Sequence, residues 1–173
     1  MSDPVWLRFS WRLPGARFDY TVAPGYAVRA ARREETDAVI ACAIAAYATD
    51  PTWASILKNI EERLSARIRA TLGQPGVHYA VAVHGDEICG VSAASLERHD
   101  GHNLITGTCV SAKHQGKGLG AAVLGDCLAW LRDQGLEEAQ IFTDPTSVAA
   151  KRVYPRFGAR CEPAPDYRAP ELG

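Results

Sequence analysis

No Cys-x-x-Cys pair occurs anywhere in the 173 residues. The five cysteines, Cys42, Cys89, Cys109, Cys127 and Cys161, are an odd number and scattered, and four lie in stretches that read as apolar helix or strand. That pattern excludes a disulfide framework and the spaced Cys/His sets of a zinc site, so no metal is expected and the thiols are expected to be reduced and mostly buried. No apolar run approaches the ~20 residues of a membrane span, and the opening residues lack a signal-peptide core. Neither sign of charge dominates: 19 Lys and Arg stand against 20 Asp and Glu. A nucleic-acid coat and a polybasic membrane anchor are therefore not expected. Internal repeats and low-complexity segments are also missing. The expected location is the cytoplasm, with no nucleic-acid or membrane partner.

Apolar residues make up 47% and charged residues 23%, the composition of one globular domain. Trp6, Phe9, Trp11, Phe18 and Tyr20 crowd around the turn signal Pro14-Gly15 and alternate with Arg8, Arg12 and Asp19. This predicts a short strand pair within residues 1–25. Tyr26 to Ala30 reads as the first core strand. Residues 33–47 read as a helix whose early acids, Glu34, Glu35 and Asp37, suit the helix dipole. A second helix opens at Asp50-Pro51 and ends near Gly73. Three antiparallel strands follow, near residues 77–84, 87–96 and 103–110, joined by Gly85-Asp86 and Asp100-Gly101. His99 and His102, beside that second turn, read as solvated. A Gly-rich turn then opens an amphipathic helix that stops at Gly135. A strand over 139–143, a short helix over 146–153 and a proline-rich tail, 160–173, complete the chain.

The sharpest feature is that Gly-rich turn, Gln115-Gly116-Lys117-Gly118-Leu119-Gly120, set between an apolar strand and a helix. A helix start offers unpaired N–H groups and the positive dipole end, and glycines let backbone approach a ligand. The combination makes a phosphate cradle. It is not a Walker loop, because no Ser or Thr follows Lys117. Its G-x-G-x-G spacing, late in the chain, is not a dinucleotide fingerprint either.

The run Val110-x5-Gln115-x-x-Gly118-x-Gly120 resembles the Gln/Arg-x-x-Gly-x-Gly/Ala signature of the GNAT superfamily of N-acetyltransferases. Ala150-Lys151-Arg152-Val153-Tyr154-Pro155-Arg156-Phe157-Gly158 is similar to that family's second segment, Ala-x-x-x-Tyr-x-(Lys/Arg)-x-Gly. Element order matches over about three quarters of the chain. The resemblance implies an α+β fold with a central mixed, mostly antiparallel twisted sheet flanked by helices. It implies a core domain over 26–159, with 1–25 as a strand extension and 160–173 as the tail.

The resemblance also implies acetyl-CoA as co-substrate and transfer of its acetyl group to a primary amine, of a small molecule or a protein N-terminus, by direct attack in a ternary complex. Cys109 and Val110 would pair through backbone with pantetheine, and Val110 N–H would be the oxyanion donor. Gln115, Gly116, Lys117, Gly118, Leu119 and Gly120 would hold the pyrophosphate. Ser147 would contact pantetheine, and Tyr154 would protonate the leaving thiolate. No base stands in the strand before the loop; Asp144 is the nearest candidate, with Glu35 and Asp37 behind it. The alternative is a non-catalytic acyl-CoA sensor or regulatory protein of the same fold. Relatives end with a strand pair, which the prolines of the tail oppose. The N-terminal strands, or a partner in a homodimer, are expected to cover the sheet edge left open.

Overall fold

The structure, a computed structural model, describes residues 4–170; residues 1–3 and 171–173 of the two terminal segments lie outside the described residues. The fold is α+β and built on two sheets. In the larger, β2 (Tyr26–Ala30), β3 (Val77–His84), β4 (Glu87–His99) and β5 (His102–Leu104) are neighbours in that order, and β6 (Cys109–Val110) also pairs with β4. Every pairing is antiparallel. In the smaller, β1 (Trp6–Arg12) lies between β7 (Glu138–Thr143) and β8 (Arg160–Ala164), antiparallel to both. Helices α1 (Thr36–Ala48) and α2 (Leu57–Thr71) pack on one face, α3 (Leu119–Asp133) on the other, and α4 (Val148–Arg152) follows β7. Each long helix begins after a tight turn; that before α2 is capped by Asp50, whose carboxylate accepts from Thr52 N at 3.0 Å.

The termini depart most from expectation. Among the described residues, 4–25 contribute one strand, not a pair: β1 ends at Arg12, and residues 16–23 run irregularly across α3. Alternation failed as a guide here because Phe18 is buried by that crossing rather than by a ladder. The tail does form a strand. Pro163 is tolerated in β8 because β8 is an edge strand, where a missing N–H leaves no ladder bond unmade. Residues separated on composition thus meet in one sheet, with β1 filling the place beside β7 and β8. Phe9 and Trp11 are 2% and 1% exposed, and Trp11 Nε1 donates to Arg156 O at 2.9 Å. Arg8 pairs with Glu162 across the β1–β8 ladder.

The third strand expected over 103–110 is broken. β5 ends at Leu104, and the chain bends before β6. Gly107 carries the bend at φ +69, and a Cβ there would sit 2.7 Å from Tyr47 Oη. The consequence is a split between the sheets. At the β5 end they are stitched by side chains, since Gln140 N donates to Asn103 Oδ1 (3.2 Å) and Phe142 N to His102 Nδ1 (3.1 Å). At the β6 end they part, and that gap is the site.

Candidate active site

The ladder fixes which backbone groups face the gap. Ser111 N donates to Cys89 O at 2.9 Å, so this facing pair is hydrogen-bonded. In an antiparallel ladder such pairs alternate. Val110, opposite Gly90, therefore turns its N–H and C=O away from β4 and into the gap. Cys109, opposite Val91, turns its own toward β4. The backbone contact expected to be shared by both residues thus narrows to Val110, with Cys109 left as wall. The thiol of Cys109 is fully buried, which pushes its pKa far up, and burial pushes the Cys42 thiol up to about 11. Neither is a thiolate nucleophile at neutral pH.

Beside Val110 opens an outer cavity of about 350 Å³. Its walls bring together Cys109, Val110, Gln115, Gly116, Gly118, Leu119, Gly120, Ser147 and Tyr154, nine residues that the sequence spreads over three separate elements. The start of α3 supplies the cradle. Gly118 is its N-cap in the left-handed region, with no side-chain cap, so the first-turn N–H groups stay available. Gly118 has a second reason to be glycine: a Cβ would stand 2.5 Å from Thr21 O. The N-terminal segment presses on the loop there, and Ala23 N donates to Lys117 O at 3.1 Å. Lys117 is not in the cavity wall; Arg152 and Arg156 are. Lys113 is engaged by Glu87 at 2.7 Å.

Tyr154 is 2% exposed and sits between the rings of Phe9 and Trp11, at 5.6 and 6.2 Å. Its hydroxyl oxygen accepts from Thr108 N at 3.0 Å. Thr108 is two residues before Val110, a chain span of at most roughly 7 Å. The hydroxyl and the free Val110 N–H therefore flank one small volume. Burial pushes the phenol above its ordinary pKa of 10, against the smaller opposing effect of the Thr108 N–H. The group stays protonated, the state an acid needs.

Other expected residues have different occupations. Ser147 lines the cavity, but its Oγ caps α4 through Ala150 N (3.1 Å) and bonds the Thr143 hydroxyl (3.0 Å). It positions α4 and Tyr154. Asp144 lies outside the cavity wall and accepts from Thr146 N at 2.7 Å, closing a turn. Glu35 is bound by Arg29 at 2.7 and 2.9 Å, which holds its pKa down to about 2. Asp37 pairs with Arg69 at 2.9 Å. None of the three base candidates reaches the site. The carboxylate that does is Asp50, read from sequence only as a cap. Its Oδ2 accepts from Val148 N at 3.0 Å while Oδ1 accepts from Thr52 N. One acid thereby ties the α2 entry to the α4 start.

A second, inner cavity of about 70 Å³ lies behind the first and shares Tyr47, Trp53, Thr143 and Tyr154 with it. His102 lines it, which corrects its reading as a solvated turn residue. Because Nδ1 accepts from Phe142 N, Nε2 carries the hydrogen and donates to Tyr167 Oη at 2.8 Å. Burial pushes its pKa down to about 4, so the ring is neutral. Tyr47, Trp53 and Trp6 are legible in the sequence only as apolar stripe residues; nothing local marks them as cavity walls. Among the described residues no His, Cys, Asp or Glu cluster could hold a metal ion, and no helix is long and apolar enough to cross a membrane.

The family model of the acetyltransferase (GNAT) family matches residues 44–159, the stretch that carries both the Gly-rich loop and the tyrosine. This chain belongs to the GNAT family. Solved structures agree on the fold. A Drosophila protein shares 14% identity and superposes with a TM-score of 0.64 over 94% of this chain and 52% of its own. A functionally unknown conserved protein from Staphylococcus epidermidis gives 11%, 0.59, 92% and 58%. A GCN5-related N-acetyltransferase from Kribbella flavida gives 20%, 0.52, 94% and 55%. The chain thus spans little more than half the length of these structures. No curated protein matches it.

Proposed function

We propose that this GNAT protein transfers the acetyl group of acetyl-CoA to a primary amine by direct attack. The observation that carries the reading is the alignment of three groups on one gap: the outward-facing Val110 N–H, the Tyr154 hydroxyl and the uncapped start of α3. The N–H groups of the loop and the α3 start, from Gly116 onward, would hold the pyrophosphate, with Arg152 and Arg156 as cationic neighbours. Pantetheine would lie along Val110 as an added strand.

The amine nitrogen attacks the thioester carbonyl carbon, and the oxygen takes the charge beside Val110 N–H. The C–S bond then breaks, and the thiolate takes the Tyr154 proton. The nitrogen proton leaves to solvent, and solvent returns a proton to the Tyr154 phenolate; among the described residues the carboxylate in the outer wall is Asp50, which holds Thr52 N and Val148 N. The buried, high-pKa thiols argue against a covalent acyl-enzyme. Acetyl-CoA-dependent thiol release across a panel of amines tests the reading. Amine-dependent release is expected. CoA binding without release from any amine would instead support a non-catalytic sensor.

A further inference from the structure

We propose that the acceptor is an amino acid: a small amine that also bears a carboxylate and an apolar side chain, held in the inner cavity with its carboxylate on Arg63 and Arg67. The proposal rests on the reading of the outer cavity as the acyl-CoA site. The two cavities share Tyr154, so a nucleophile seated in the inner one borders the reacting group. Charge then selects the acceptor. Among the described residues, the inner lining contains Arg63 and Arg67 and no carboxylate. The acid that touches them is Asp100, which pairs closely with Arg67 and stands 3.9 Å from Arg63. Among the described residues, two cations against one anion leave one positive charge at the wall. His102 adds none, being neutral.

The two arginines differ in a useful way. Arg67 is fixed, since Nη1 also donates to Ile105 O at 3.1 Å. Arg63 keeps 45% of its side chain exposed, so its end is free to close on a ligand. Much of the remaining wall is apolar, with Trp6, Leu64, Ile141 and Phe142. A polyamine or other polycation would meet repulsion there and no counter-charge. An aliphatic amino acid meets a cation for its carboxylate and an apolar wall for its side chain. Bidentate guanidinium–carboxylate contacts are the stronger class of hydrogen bond.

The test uses acetylated ligands, whose nitrogen does not titrate, so amine basicity cannot confuse the comparison. N-acetyl-L-leucine, N-acetyl-L-leucinamide and N-(3-methylbutyl)acetamide are titrated calorimetrically into the CoA-saturated full chain. The carboxylate is expected to bind at least tenfold tighter than either neutral ligand, and Arg63→Gln is expected to bring the ratio below tenfold. A wild-type ratio below tenfold overturns the proposal, as does a tenfold ratio that survives in folded Arg63→Gln. The wild-type ligand series decides alone if that variant does not fold. Failure of CoA itself to bind overturns the acyl-CoA reading. CoA binding and thiol release with no carboxylate preference overturn only the amino-acid assignment.

Discussion

The two cavities are built from different materials. The outer one is shaped by backbone: the α3 start, the outward Val110 peptide and glycines that bring chain close to ligand. The inner one is shaped by side chains from β1, α2, β5 and β7, including Trp6, Arg63, Leu104 and Phe142. A backbone cradle needs a short run of particular residues, so it is written locally. A side-chain pocket needs only that distant positions converge, so its content is free to vary. On the proposed reading, the outer cavity holds the chemistry and the inner one the selectivity. Tyr154, in both walls, joins them.

The sharpest way to break this division is to change the shared wall without changing its shape. Tyr154→Phe keeps the ring against Phe9 and Trp11 and removes the hydroxyl proposed as the acid. Turnover should fall by ~10²–10⁴-fold while acetyl-CoA affinity stays within about threefold, read by steady-state thiol release and calorimetry. Equal losses in both would place Tyr154 in binding.

Next in size is the support behind that wall. Trp11→Ala removes a buried ring and its bond to Arg156 O, and should cost roughly 3–5 kcal/mol by urea denaturation. A loss under about 1 kcal/mol would mean that β1 is an accessory rather than part of the sheet.

The stitched end of the split makes a pH prediction. His102 has a folded-state pKa below its unfolded value, so the unfolded chain binds the proton more readily as pH falls. Its stabilisation is present above about pH 6.5 and is lost as pH falls toward about 4. Roughly 2–3 kcal/mol should disappear over that window. In His102→Asn, which keeps an acceptor for Phe142 N but does not titrate, the slope should flatten. Identical slopes would remove His102 from the account.

The smallest effect expected lies in the loop. Gly116 has φ +77, and a methyl group placed on it would meet nothing within 4 Å, so Gly116→Ala strains backbone without a clash. Leaving glycine there costs about 1–2 kcal/mol, and CoA affinity should drop about three- to tenfold. Gly118→Ala makes a contrast, because its methyl strikes Thr21 O. It should lose thermal stability as well as affinity. A Gly118→Ala protein that melts like wild type would show that the N-terminal segment does not brace the loop.

These contrasts also explain what was legible in the sequence. Gln115 to Gly120 and Tyr154 to Gly158 were readable because spacing, cap and glycine sit within single turns. Helix and strand order followed from periodicity. The place of β1 did not, because the crowding of Trp6, Phe9 and Trp11 says that the strand is buried, on both faces, but not which strands it joins. Pro163 argues against a strand only where both ladders are occupied, and β8 is an edge. His102 looked solvated from its neighbours Asp100 and Gly101, yet β7 offers it the N–H of Phe142 across the split. Asp50 read as a cap for one helix and serves two. In each case the missing information was a partner more than thirty residues away.

Amide hydrogen exchange of the full chain with and without CoA tests the central claim most directly, because it reads backbone groups one by one. CoA should slow exchange at Val110 and at Gly116 to Ala121, with β1 amides from Phe9 to Trp11 protected in both states. Saturation with CoA that leaves Val110 and the Gly116 to Ala121 amides unchanged would contradict the account.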